Sequence, residues 1–351
     1  MALAGESTGE IGYGVEVFTG IRPTGELTVA NYLGAVVEVV GLQKEFEPVV
    51  FVADIHGLTD QDPGIVAEHK EEVVKDFLAL GVDPERASIF MQSDILPELG
   101  ATTLLLSREL TLNELTGVPT LKDQVNKAKL KEGKEGEDDP LSAKVMLGLY
   151  PVLMAADILA QRAHLVPVGK DQISHLELTR RLAERFNDRH SQTFPMPEAY
   201  VTDGDTEPLR ILSLKGDGKM SKSERHTALF LADSPGVIEQ KLRRAQTGPA
   251  GELTPHITSL SQIAKGLSTD TEVHQRVDDL IGEHMDGEPV MGTFKGVVTG
   301  VVNDFLADYR QAGERIAQDP GFVQDVLENG RGPAKERAAE TLQAMQDALK
   351  L

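Results

Sequence analysis

Residues 15–40 read VEVFTGIRPTGELTVANYLGAVVEVV. The stretch decides the fold because it crosses from one periodicity to another. VEVFTGI (15–21) is apolar and rich in β-branched residues, as strands are. NYLGAVVEVVGLQKEF (31–46) carries apolar residues at helical spacing. The residues between are small, and Gly20 and Gly25 permit tight backbone paths. A helix starting near Ala30 and Asn31 points its unsatisfied N–H groups at the end of the strand, which suits a phosphate. An ordinary strand–helix turn capped by asparagine has the same composition.

The alternation continues outward from this turn. PVVFVAD (48–54) is a buried-strand run, GIVAEHKEEVVKDFLALG (64–81) a helical pattern, and ASIFMQS (87–93) a strand again. AHLVPVG (163–169) predicts one more strand. A helix over about 171–186 follows, with Ile173, Leu176, Leu182 and Phe186 on its apolar side. Short apolar runs alternating with amphipathic helices predict an α/β fold, a Rossmann-like doubly wound parallel sheet. KAKLKEGKEGEDDP (127–140), charged and ending in proline, reads as a solvated excursion. Beyond about residue 227 the strand runs thin out and the pattern is helical. Ala338, Leu342, Met345 and Leu349 recur there at helical spacing, and MDGEP (285–289) and NGRGP (329–333) read as helix boundaries. The expected organisation is a flexible N-terminus (1–14), a catalytic α/β domain (15–226) and a C-terminal helical domain (227–351).

Composition narrows the chemistry. At 351 residues the chain fits two domains. It has no cysteine, which excludes disulfides, thiolate metal sites and cysteine nucleophiles. The N-terminus, MALAGESTGEIGYG, lacks the basic start and apolar centre of a signal peptide, and no apolar run approaches the length of a membrane helix. A cytoplasmic protein without membrane contact is expected. The net charge of −21 opposes non-specific binding of nucleic acid, while leaving room for a local basic patch.

Two further stretches carry chemistry. GDGKMSKSERH (216–226) places Lys219 and Lys222 on a small, hydroxyl-bearing loop. Two ammonium groups there can clamp a polyphosphate and follow charge onto a departing pyrophosphate. In LYPVLMAAD (149–157), Asp157 ends an apolar helical run. An unpaired buried carboxylate is costly, so Asp157 either faces solvent or has a dedicated partner.

KMSKS is the second signature of class I aminoacyl-tRNA synthetases. PTGELTVANYLGA resembles the altered first signature, PSGxxTIGNYxGA, of bacterial tryptophanyl-tRNA synthetases. DIHGLT (54–59) is similar to that family's DxHAIT element, and LYPVLMAADILAQRAHLVPVGKDQISHLELTRRLAERFN (149–187) to its amino-acid pocket. The resemblance runs from about residue 16 to the C-terminus.

It implies an ATP-dependent ligase whose Asp157 accepts a hydrogen bond from the indole N–H of L-tryptophan. A buried group built for one donor rejects analogues lacking it, by up to ~10⁴–10⁵. Met154, Val166 and Val168 are the implied apolar walls, with Phe18 and Gly20 on the first strand. Tyr150 and Gln172 match positions that hold the substrate ammonium, and His56 stands near its carboxylate. The implied ATP site comprises Arg22, Thr24, Gly25, Thr28, Ala30 and Asn31 on the opening turn, and Gly169 with Asp171 after the later strand. Met220, Ser221 and Ser223 join it from the loop. Lys219, Lys222 and Lys122, with Mg²⁺ bound to ATP and no protein cage of its own, neutralise developing charge. The implied partners are tRNA(Trp) and a second copy of the chain in a homodimer. RRLAERFNDRH (180–190), KLRR (241–244), Arg331, Lys335 and Arg337 are candidate tRNA contacts.

The sequence departs from the bacterial pattern at Arg22 (usually Gln), Ala30 (usually Gly), Lys170 (usually acidic) and GVPT (117–120), a segment that normally holds an arginine. Three alternatives stay open at this point: a tyrosyl-tRNA synthetase, a nucleotidylyltransferase of a small cofactor, and a non-catalytic paralogue.

Overall fold

The computed structural model describes residues 14–23, 25–131, 144–169, 172–200, 211–222 and 224–351. The expectation for residues 1–14 therefore falls almost wholly outside the described residues, as do those for Thr24, Lys170, Asp171 and Ser223.

Three parallel strands, β1 (Phe18–Ile21), β2 (Val49–Val52) and β3 (Ser88–Met91), pair in that order. Strands β4 (Leu165–Pro167) and β5 (Glu198–Tyr200) pair in parallel, and a parallel bridge between Val17 and Leu165 joins β4 to β1. The resulting order, 3-2-1-4-5, is that of a Rossmann sheet, and its order reverses between β1 and β4. Strand β5 was not foreseen in the sequence. It is three residues long, with Glu198 and Ala199 exposed and Tyr200 half-buried, so no apolar run marks it.

Fourteen α-helices stand among the described residues. In the first half they are α1 (Val29–Asn31), α2 (Val37–Leu42), α3 (Asp54–Gly57), α4 (Pro63–Ala79), α5 (Leu96–Ser107), α6 (Leu112–Thr116) and α7 (Pro119–Lys131). They continue as α8 (Val145–Ala160), α9 (Ile173–Arg189), α10 (Pro235–Arg243), α11 (Pro255–Leu267), α12 (Thr271–Met285), α13 (Met291–Ala317) and α14 (Phe322–Leu349). A π-helical stretch, Tyr32–Val36, joins α1 to α2. Such insertions gather at functional sites. Helix α7 runs to Lys131, so the first residues of the expected excursion are helical; residues 132–140 lie outside the described set.

Strand alternation sorts the core onto the two faces of the sheet. Val50, Val52, Ile89 and Met91 pack with α4 and with α10–α13. Val49, Phe51 and Phe90 pack with α5, α8 and α9. The MDGEP break does separate α12 from α13. NGRGP does not end a helix: Asn329–Pro333 lie inside α14. The physical reason is close approach. A Cβ on Gly330 would fall 2.0 Å from the Ile89 carbonyl oxygen, so glycine here lets α14 lie against β3. The far end of α14 then buries Ala334, Ala338 and Met345 against the α8 face.

Candidate active site

Side chains from the carboxyl ends of β1, β2 and β3, together with α8, α9 and the 211–231 segment, form the site, beside the reversal of strand order. It has two ends.

At the first, Asp157 on α8 is 2 % exposed. Gln92, the residue after β3, donates from Nε2 to both carboxylate oxygens, at 2.7 Å to Oδ1 and 2.9 Å to Oδ2. His56 Nε2, from α3, lies 2.9 Å from Oδ2. Burial pushes the Asp157 carboxyl above its ordinary value, and the bonds from His56 and Gln92 pull it back down. The ends of β2 and β3 are tied twice over. The His56 backbone N–H donates to Gln92 Oε1 at 3.1 Å. Ser93 donates to Asp54 from its backbone N–H (2.9 Å) and its hydroxyl (2.5 Å).

Tyr150, Met154 and Asp157 share one stripe of α8, at i, i+4 and i+7. Tyr150 and Met154 remain partly open while most of the helix is buried. The Tyr150 hydroxyl sits 3.3 Å from His175 Nε2, one turn along α9 from Gln172. Val166 is buried on β4, Val168 is half-buried, and Gly169 is exposed beyond it. Phe18 is fully buried and stacks on Phe51 with centroids 4.8 Å apart. Gly20 leaves room for that ring: a Cβ would lie 2.3 Å from Phe51.

At the second end the opening turn and the lysine loop are joined. Leu27–Val29 runs antiparallel to Leu229–Leu231, through Val29 N–H to Leu229 O (2.8 Å) and Leu231 N–H to Leu27 O (3.0 Å). Lys222 Nζ donates to the Gly25 carbonyl at 2.9 Å, across 197 residues of chain. Burial pushes the Lys222 ammonium down to about 8; Asp76 opposes that shift and Arg22 adds to it. Asp76 is itself held from the C-terminal helices by the Tyr309 hydroxyl at 2.6 Å. Arg22 pairs with Asp60.

Lys219 is exposed and faces Leu212 in a short hairpin, while Met220 Sδ accepts from the Leu229 N–H at 3.5 Å. Ser221 is exposed beside them; Lys122, on α7, is also exposed, and no described contact joins it to the loop. Thr28 and Asn31 form a reciprocal capping box: the Asn31 N–H donates to Thr28 Oγ1 at 3.3 Å, and the Thr28 N–H to Asn31 Oδ1 at 3.0 Å. Asn31 thus closes its own helix, and Ala30 beside it is half-buried.

The basic stretches are largely engaged inside the chain. Arg185 binds Glu114 at 2.5 Å, Arg189 binds Glu109 at 2.7 Å, and Lys241 binds Asp233 at 2.6 Å. Arg331 pairs with Glu328 and Asp94, and Arg337 donates to Gln161. Arg243, Arg244 and Lys335 are exposed. Sequence reasoning did not single out Gln92, Asp60 or Asp76. The signal available for Gln92 was its place, a polar residue where an apolar strand ends.

A family described as class I tRNA synthetases (W and Y) matches residues 13–307. The tryptophan–tRNA ligase of Treponema pallidum is 34 % identical over 352 residues, covering 96 % of this chain and 97 % of its own. A crystal structure of Campylobacter jejuni tryptophanyl-tRNA synthetase complexed with ADP and tryptophan superposes with a TM-score of 0.78 at 28 % identity, covering 96 % of this chain and all of that one. The Mycoplasma pneumoniae tryptophanyl-tRNA synthetase gives a TM-score of 0.80 at 28 % identity, covering 97 % of this chain and 98 % of its own.

Proposed function

The chain belongs to the class I tRNA synthetases of the tryptophan and tyrosine type, and on that premise we propose that it activates L-tryptophan with ATP and transfers it to tRNA(Trp). One observation carries the choice of amino acid: a buried carboxylate, Asp157, at the base of the Tyr150–Met154 stripe, with Gln92 and His56 already donating to it. Such a group takes one more donor; the indole N–H is one, phenylalanine offers none, and the tyrosine hydroxyl, also a donor, is left to the shape of the apolar walls at Met154, Val166 and Val168.

The tryptophan carboxylate attacks the α-phosphorus of ATP. The bond to the bridging oxygen breaks, and pyrophosphate leaves with the electron pair. A terminal ribose hydroxyl of the tRNA then attacks the adenylate carbonyl and AMP departs. The first step needs positioning and charge stabilisation rather than a protein nucleophile. We assign the triphosphate to the joint between the opening turn and the lysine loop. There Lys222 exchanges its Gly25 partner for phosphate oxygens, and Lys219 and Lys122 supply further charge; the Val29 and Asn31 N–H groups that open α1, expected from the sequence to meet the anion, are instead engaged by Leu229 and Thr28. Tyr150 and Gln172 receive the substrate ammonium, and Val166 and Val168 flank the ring.

Among the described residues no cluster of three or more His, Asp or Glu side chains could hold a metal, and ATP's own phosphates are strong ligands for Mg²⁺. Mg²⁺ on the triphosphate would neutralise charge that passes to pyrophosphate.

We further assign tRNA to the exposed cations Arg243, Arg244 and Lys335 within 227–351. The homodimer contact is assigned to the face that leaves Leu104, Leu112 and Val145 exposed on α8 and on the two helices packed against it, α5 and α6. No helix among the described residues is long and apolar enough to cross a membrane, and we place the enzyme in the cytoplasm.

The test is ATP–pyrophosphate exchange with tryptophan, with tyrosine and with no amino acid. Exchange that depends on tryptophan and is at least ~100-fold weaker with tyrosine is expected, the scale on which the shape of an apolar pocket discriminates. No exchange with either would overturn the assignment.

A further inference from the structure

Gln92 is wholly buried, and its hydrogen bonds fix which way its amide points. The His56 backbone N–H can only donate, so the atom 3.1 Å away must be the amide oxygen. The NH₂ group therefore faces Asp157, and it sits between the two carboxylate oxygens at 2.7 and 2.9 Å. A carboxylate offers about four lone-pair positions. Gln92 takes one on each oxygen and His56 takes a second on Oδ2. What is left is one position on Oδ1, which among the described residues accepts from Gln92 alone.

We infer that Gln92 is a positioning residue for amino-acid selection: it holds Asp157 as an acceptor with a single vacant lone pair aimed at one incoming N–H. The inference rests on the reading of the site as a tryptophan pocket and adds the residue that keeps its recognition group in the accepting state. Burial raises the proton affinity of Asp157. A proton on Oδ1 would turn the acceptor into a donor and meet the indole N–H head on. Gln92 works with His56 against that state, because its two donated bonds favour the ionised carboxylate. The same amide ties the carboxylate to the His56 backbone, so the orientation of Asp157 is set by the ends of β2 and β3.

The experiment compares tryptophan with β-(3-benzothienyl)alanine, in which sulfur replaces the ring N–H. Gln92→Met keeps the length and removes the donors. The KM for tryptophan in ATP–pyrophosphate exchange should rise ~10–100-fold, the range a hydrogen bond to a charged group supplies, with kcat within about threefold. The inhibition constant of the benzothienyl analogue should stay within about threefold, so the preference for tryptophan over the analogue collapses. Gln92→Asn, a milder change that retains the donors but is one methylene short of spanning His56 and Asp157, should show the same collapse at about tenfold or less. A purely structural role would weaken both ligands alike. Loss of both ligands together in Gln92→Asn, or an unchanged preference in either variant, overturns the inference. Absence of tryptophan-dependent exchange in the wild-type chain would instead remove the tryptophan reading on which it rests.

Discussion

The two ends of the site are built on opposite principles. Around Asp157 the carboxylate is buried, its partners come from two segments, α3 and the residue after β3, and the described contacts fix it in place before any ligand arrives. Around Lys222 a hydrogen bond to the Gly25 backbone carbonyl helps dock the loop, and Lys219 stands in solvent. Selection between similar amino acids requires a polar group that cannot adapt. Activation requires cations that meet charge where it develops, so they must exchange partners during the reaction. The contrast teaches that affinity for the amino acid and rate of the chemical step should be separable by mutation.

The largest expected effect tests that separation. Lys222→Ala should lower kcat of tryptophan-dependent exchange by ~10²–10³-fold, as loss of one preorganised charge-stabilising donor does. The KM for tryptophan should stay within about threefold. Steady-state exchange at saturating and limiting tryptophan reads both numbers. An equal change in the two would mean that the ends are not independent.

A second, smaller effect lies in pH. Lys222 is held down to about 8 in the ligand-free chain. Its charged form is therefore present below that pH and lost above it. The kcat/KM for ATP, which reports the free enzyme, should fall toward tenfold per pH unit above about 8. Arg22 contributes to the depression as a like charge. Arg22→Gln should therefore move the alkaline limb to higher pH, while leaving the KM for tryptophan at pH 7 unchanged. A limb that stays in place would assign it to another group.

How far the sequence alone reaches differs between these regions for a physical reason. The lysine loop and the opening turn are legible because their residue types are contiguous, and the alternation of VFVAD with amphipathic helices predicts the sheet. Gln92 is opaque because one polar residue at a strand end has many uses, and its partners lie 36 and 65 positions away. The same distance hides Glu114 from Arg185, 71 residues apart, so a basic run reads as a nucleic-acid surface when much of it is internally paired. NGRGP misleads because glycine serves two purposes, breaking helices and admitting close neighbours, and only the contact of Gly330 with Ile89 tells which applies. Arg22 reads as a bare charge in the sequence, whereas the fold brings it to Asp60.

The smallest effect concerns the joint between the ends. The Thr28–Asn31 box closes the first turn of α1 at the point where the turn pairs with the segment Leu229–Leu231 that follows the lysine loop. Thr28→Ala removes a cap and should cost about 1 kcal/mol of stability, seen as a lower urea midpoint at unchanged m-value. Asn31→Ala should cost a similar amount. Because the two side chains share one reciprocal interaction, the double variant should lose little more than either single one. Kinetically the loss belongs to the phosphate end alone: the KM for ATP should rise a few-fold, since the turn that meets the lysine loop is less well ordered, and the KM for tryptophan should not move. Additive stability losses would show that the cap is not reciprocal. A tryptophan KM that rises with the ATP KM would show that the turn transmits strain along β1 to the amino-acid end, and would replace the picture of two independent ends with that of one coupled site.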